Sequence, residues 1–164
     1  MTITLRKLRR AGGEETPRFE AIVVHDGRDV ATVSNGGTGG PCRFRWSADP
    51  AATLLAAVRL AAEQWPDLYA RLSAAPSRDA AEDALGTVCM HEVEVMRLAK
   101  ILDRAAKTKV LLRESGQPVG VYHTVSVPPT EHEITEVRRR YPTYTVLNSL
   151  PSRDRAERVM RAEP

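Results

Sequence analysis

Apolar and polar residues alternate along the start of the chain. In "TITLRKL", Ile3 and Leu5 fall on one side, which is the period of a half-buried strand. "RFEAIVVHDGRDVATVSN" adds two β-rich runs around Asp26-Gly27. A two-residue Asp-Gly connection favours a type I′ turn, because both positions need positive φ. Phe19, Ala21 and Val23 then share one face, and Ile22 and Val24 the other. The pattern predicts an antiparallel three-stranded meander.

Beyond residue 47 the period lengthens to three and four. Asp49 is placed to cap a helix with Pro50 in its first turn, carrying Leu54, Leu55, Val58, Ala61, Ala62 and Trp65 as its apolar stripe and ending at Pro66. "DLYARLSAA" reads as a short second helix. Ser77 caps a long third one over 78–106, with a stripe of Ala81, Leu85, Val88, Val95, Ala99 and Leu102. "KVLLRESGQPVGVYHTVSV" then returns to strand character around a turn at 115–118. Thr130 and Glu133 form a capping-box pair ahead of a further helix, and "TYTVLN" reads as a last strand. The order is β-β-β, α-α-α, β-β-α-β. Segregated strands and helices predict an α+β fold rather than a doubly wound sheet. No linker interrupts 1–150, which reads as one domain, with 151–164 a charged tail or short surface helix.

Composition changes this picture little. Hydrophobic residues are 42% of 164, enough for a core, and aromatics only 5%, so Ala, Val and Leu must fill it. The net charge of +3 is modest, but the first 46 residues alone carry a basic excess of three. Such an excess permits a basic face without requiring one. Cys42 and Cys89 form no CxxC pair, and the basic N-terminus has no apolar run behind it, so reduced thiols in a cytoplasmic protein are expected. No run approaches the length of a membrane span, so no membrane partner is expected.

Candidate chemistry centres on "SNGGTGGPCRFRW", residues 34–46. The loop lacks the Lys-Ser/Thr of a Walker motif and does not fit G-x-G-x-x-G, so its glycines read as conformational. In an extended "RFRW", Arg43 and Arg45 point one way and Phe44 and Trp46 the other. Arginine beside glycine and an aromatic is the composition of interface anchors and of single-strand nucleic-acid platforms. Gly37, Gly39, Arg43, Phe44, Arg45 and Trp46 are therefore the candidate partner-binding residues. A second candidate is the basic cluster Lys100, Arg104, Lys107, Lys109 and Arg113, a nucleic-acid footprint or a charge complement to a helix C-terminus. His91, Glu92, Cys89 and His123 lie at spacings that make no metal or nucleophile motif, HExxH and GxSxG are absent, and "HTVS" occurs once. No catalytic residue, metal or cofactor is assigned.

Phe19, Asp26-Gly27, Asn35, Gly37, Gly39-Gly40 and the later "KVLLR" resemble a pattern in uncharacterised small proteins of bacterial phages, prophages and plasmids. There an aromatic-started strand, a DG turn and an N-x-G-x-G-G-like loop precede a long helix. The resemblance implies a mobile-element setting and no reaction. Together these readings describe a small non-enzymatic binding protein acting on a host protein or nucleoprotein complex. The alternatives are a nucleic-acid binder using Lys100–Arg113, and an enzyme or nucleotide binder built around Gly36–Gly40.

Overall fold

The computed structural model describes residues 2–69 and 76–161. Its elements are β1 (Ile3–Ala11), β2 (Arg18–His25), β3 (Arg28–Asn35), β4 (Arg43–Trp46), α1 (Ala51–Gln64), α2 (Pro66–Tyr69), α3 (Arg78–Ala105), β5 (Val110–Glu114), β6 (His123–Val125), α4 (Glu131–Arg140), β7 (Tyr144–Val146) and α5 (Ser152–Met160). The fold is α+β, with two compact units, Met1–Val93 and Glu94–Pro164. Helix α3 contributes residues to both. The part of the expected second helix over 70–75 lies outside the described residues.

The first unit holds an antiparallel sheet in the order β1-β2-β3-β4. It has four strands rather than the expected three, because the extended "RFRW" pairs with β3. Asp26 and Gly27 take φ of 46° and 81°, as the type I′ turn requires. The same turn is tied to the chain start, since Thr2 N donates to Asp26 Oδ1 at 2.8 Å and Asp26 N donates to Thr2 O at 3.0 Å. The Thr2 amide bonded to the carboxylate is the main cause that holds the Asp26 pKa below its ordinary value. Phe19, Ala21, Val23, Ala31 and Val33 are buried on one face, while Ile22 and Val24 are only half-buried on the other. Each large buried side chain contributes about 1.5–3 kcal/mol over its exposed state.

Two bulges modify the alternation. Between Arg6 and Arg9, β1 advances three residues while β2 advances two, from Ile22 to Glu20. Lys7, with φ of 54°, absorbs the extra residue. On β3 the extra residue falls beside Val30, so Val30 and Ala31 are both buried.

Helix α1 buries Thr53, Leu54, Ala56, Ala57, Val58 and Ala61. Leu55, expected in the stripe, is 41% exposed, because the packed side centres on Leu54, Ala57, Val58 and Ala61. The cap position is Pro50, and Asp49 Oδ1 accepts the Ala51 N–H one step later, at 3.1 Å. Ser77 Oγ accepts the Ala80 N–H at 3.2 Å, as a cap should. Gly86 inside α3 faces Cys42: a Cβ there would lie 3.4 Å from the Cys42 Cβ.

The second unit holds a sheet in the order β6-β5-β7, separate from the first. Val95, Leu98, Leu102, Leu111, Leu147, Ala156 and Val159 form one core cluster; Val110, Leu112, Val137 and Val146 form another. Thr130 Oγ1 accepts the Glu133 N–H at 3.3 Å and caps α4. The last charged stretch is helix α5, which buries Arg155, Ala156 and Val159. Arg155, only 7% exposed, donates to Leu147 O at 3.0 Å, Leu150 O at 2.9 Å and Asp103 Oδ1 at 2.9 Å. Among the described residues no helix is long and apolar enough to cross a membrane.

A β-branched residue resists φ of 81°, and a Cβ at Gly27 would meet nothing within 4 Å. The cost of Gly27→Val is therefore backbone strain alone, about 1–3 kcal/mol in a denaturant melt. Gly27→Asn, which tolerates the left-handed region, should lose less. Equal losses in the two variants would show that the turn conformation is not what the residue supplies.

Candidate functional site

The glycine loop is built around one buried side chain. Asn35 closes β3 at 5% exposure. Its Oδ1 accepts the Gly37 N–H at 2.8 Å, an Asx turn, and the Thr16 hydroxyl at 3.0 Å. Its Nδ2 donates to Gly40 O at 3.1 Å and lies 3.7 Å from Cys42 Sγ. Asparagine does this because it carries a donor and an acceptor on one short planar group. The loop of residues 12–16 stacks against the glycines: Glu14 N, Glu15 N and Thr16 N all donate to Gly37 O, at 2.8, 3.0 and 3.4 Å. Converging amides of this kind make a concavity suited to an anion. Here a carbonyl oxygen of the chain itself occupies it. Gly37 is buried with φ of 82°, and a Cβ on it would sit 2.8 Å from the Gly13 Cα. Gly39 is exposed, and its N–H donates to Thr16 Oγ1 at 3.4 Å. The loop's amides serve the loop, as a conformational reading of the glycines requires.

Strand β4 separates its four side chains by face. Phe44 and Trp46 are half-buried and stack on each other, with ring centroids 5.8 Å apart. Trp46 Nε1 donates to Glu82 Oε1 on α3 at 3.3 Å. Arg43 and Arg45 are exposed on the outer face. The aromatics of "RFRW" are thus turned toward the helices, away from the arginines they were grouped with.

Strand register sets the outer face. One row across the sheet is Arg6, Ile22, Thr32, Arg45; the next is Arg9, Glu20, Ser34, Arg43; beyond it Ala11 lies opposite Arg18. The bulge at Lys7 is what brings Arg9 onto the face of Arg6, since residues three apart in a regular strand point to opposite sides. Both edge strands therefore carry arginines, and the inner strands carry Ile22, Thr32, Ser34 and the single acid of these rows, Glu20. Arg6 pairs with Asp29. Arg9, Arg18, Arg43 and Arg45 make no ion pair among the described residues. Composition hints at this face through the basic excess of the first 46 residues. Nothing in the sequence marks Lys7 as a bulge, so Arg6, Arg9 and Arg18 were not singled out.

Concavities among the described residues of the first unit include the following two. One, of about 290 Å³, is lined by Asn35, Cys42, Gly86 and Met90 among others. Burial raises the Cys42 thiol above its ordinary value and raises Cys89 further, so both stay protonated at neutral pH. The other is a groove of about 500 Å³ at the loop end of the outer face.

The basic cluster in the second unit is only partly a surface. Lys100, Arg104, Lys107 and Lys109 are exposed. Arg113 is 1% exposed, and its guanidinium donates to Val121 O and Arg161 O at 2.7 Å, Gln117 O at 3.2 Å and Pro118 O at 3.4 Å. A charge buried this way is held by carbonyl dipoles and cannot reach a phosphate. It therefore leaves the nucleic-acid set.

The histidines have structural neighbours. His25 Nδ1 lies 3.0 Å from Thr53 Oγ1, His91 meets Trp65 edge-on at 5.3 Å, and His123 contacts Gln117 and Tyr144. Glu92 is buried. Among the described residues no group of three or more His, Cys, Asp or Glu side chains is placed to hold a metal ion. No protein-family model, curated protein or solved structure matches this chain.

Asn35→Ala would remove both halves of the loop's hub and leave the buried Gly37 amide without its acceptor. A loss of about 1–3 kcal/mol in chemical denaturation is expected. Hydrogen exchange at Gly37 should speed up in parallel. Unchanged exchange would mean that the loop holds its shape without Asn35.

Proposed function

We propose that the chain is a non-enzymatic binding protein whose first unit docks an acidic protein surface against the outer face of the four-stranded sheet. The observation that supports this reading is the pair of arginine-bearing edges, Arg6 and Arg9 on β1 and Arg43 and Arg45 on β4, flanking half-buried Ile22, Thr32 and Ser34. A modest apolar centre with a charged rim is the usual anatomy of a protein interface. Arginine is also the charged residue enriched at such sites. Single-stranded nucleic acid is the poorer fit: these rows carry no aromatic, and base binding relies on stacking. A host protein encountered by a mobile genetic element is the setting that the sequence pattern favours.

The double substitution Arg43→Ala and Arg45→Ala tests it. Exposed arginines contribute little to stability, so the melting temperature should hold. Affinity for an acidic partner isolated from the native host should fall about tenfold, near 1.4 kcal/mol, mostly through slower association at low salt. Full-strength binding by the variant would remove the outer face from the function. Capture of nucleic acid alone, with affinity falling steeply as salt rises, would replace the protein partner by a nucleic acid.

A further inference from the structure

We infer that the groove at the glycine-loop end of the outer face is a binding site for a small oligophosphate ligand. The groove holds about 500 Å³, within the size range of small-molecule sites, and its lining includes Arg9, Arg18 and Arg43, with Glu20 its one acid. Arg9 and Arg43 stand at opposite ends of one row, three strand spacings apart. That is about 14 Å between backbones. Arg9 and Arg43 line the groove from its two edges, and Arg18 stands in the next row.

Three features suit a multiply charged phosphate ligand. The guanidinium fork matches phosphate oxygens in pairs, which a point charge does not. A concave site with an excess of one sign of charge concentrates its field on a multiply charged ligand. Gly36 and Gly40 line the groove beside Thr38 and Pro41, so part of its wall is bare backbone. The carboxylate of Glu20 opposes the ligand, and its position opposite Arg9 and Ser34 puts it on the groove floor. Its removal should therefore tighten binding. This site goes beyond the docking reading: it shares Arg9 and Arg43 with that face, but Arg45 and Arg6 lie outside it.

Titration calorimetry of the full chain with inorganic tripolyphosphate tests the proposal, at constant ionic strength and with sulfate as the competing anion. Saturable binding is expected, insensitive to sulfate. It should be weakened about tenfold or more by Arg9→Ala with Arg18→Ala, and strengthened by Glu20→Gln. Arg9→Lys with Arg18→Lys keeps the charge and the exposed positions but removes the fork, and should also weaken it. Arg45→Ala should leave it unchanged, because Arg45 does not line the groove. A nucleoside triphosphate binding as well as tripolyphosphate would mean that phosphates alone fill the groove. Tighter nucleotide binding would add the nucleoside to the ligand, and either result supports the site. Absence of saturable binding, displacement by sulfate, or equal losses from Arg45→Ala and the Arg9/Arg18 pair would overturn it.

Discussion

A strand that buries every second side chain has no choice about the others. β4 is four residues long, and pairing with β3 places Phe44 opposite Val33 and Trp46 opposite Ala31, both of which are buried. Arg43 and Arg45 are then committed to the outer face. The same rule acts on β1, where it would scatter Arg6 and Arg9 to opposite sides. The bulge at Lys7 cancels that and gives the sheet a second basic edge. The charge pattern of the candidate surface is thus a by-product of how the core is filled, corrected at one backbone position.

The ends of the strands are governed by a polar constraint. Loops of residues 12–16 and 36–40 would each leave amides and carbonyls to solvent, yet they are folded onto one another. Asn35 and the Gly37 carbonyl supply the shared partners. Buried polar groups demand satisfaction, and here one side chain and one carbonyl meet much of it. Glycine at residues 13 and 37 is needed because the two backbones touch there. The groove beside Arg9, Arg18 and Arg43 takes part of its wall from this arrangement.

Local signals carried most of the fold. The Asp26-Gly27 turn, the span of α3, the caps at Ser77 and Thr130 and the β-β-α-β order of the second unit all depend on residues close in sequence. What was not legible depends on distant partners. "RFRW" became a strand because β3 offered an open edge. Leu55 is exposed because the packed side of α1 centres on Leu54, Ala57, Val58 and Ala61. Arg113, four residues after Lys109 in an evidently basic stretch, is buried because carbonyls as far away as Arg161 converge on it. Of the candidate site, Arg43 and Arg45 could be picked out by alternation, whereas Arg6, Arg9 and Arg18 needed the bulge and the register. The aromatics between the arginines were grouped with them by adjacency, and strand geometry divides the two pairs.

The long reach of the buried arginines gives the second unit a timetable. The Arg113 guanidinium donates to a carbonyl 48 residues later, and Arg155 pairs with an Asp103 made 52 residues before it. At ribosomal speeds of about 5–20 residues per second, Arg113 is synthesised roughly 2–10 seconds ahead of its last acceptor. Until then a charge destined for the interior must remain hydrated, and the strands around it cannot close. The strands of the first unit have no such wait, because β1 to β4 pair with neighbours as they emerge, although the Trp46 bond to Glu82 on α3 comes 36 residues later. During translation the arginine-edged face would therefore be formed, and open to a ligand, while β5 to β7 were still without their closing helix.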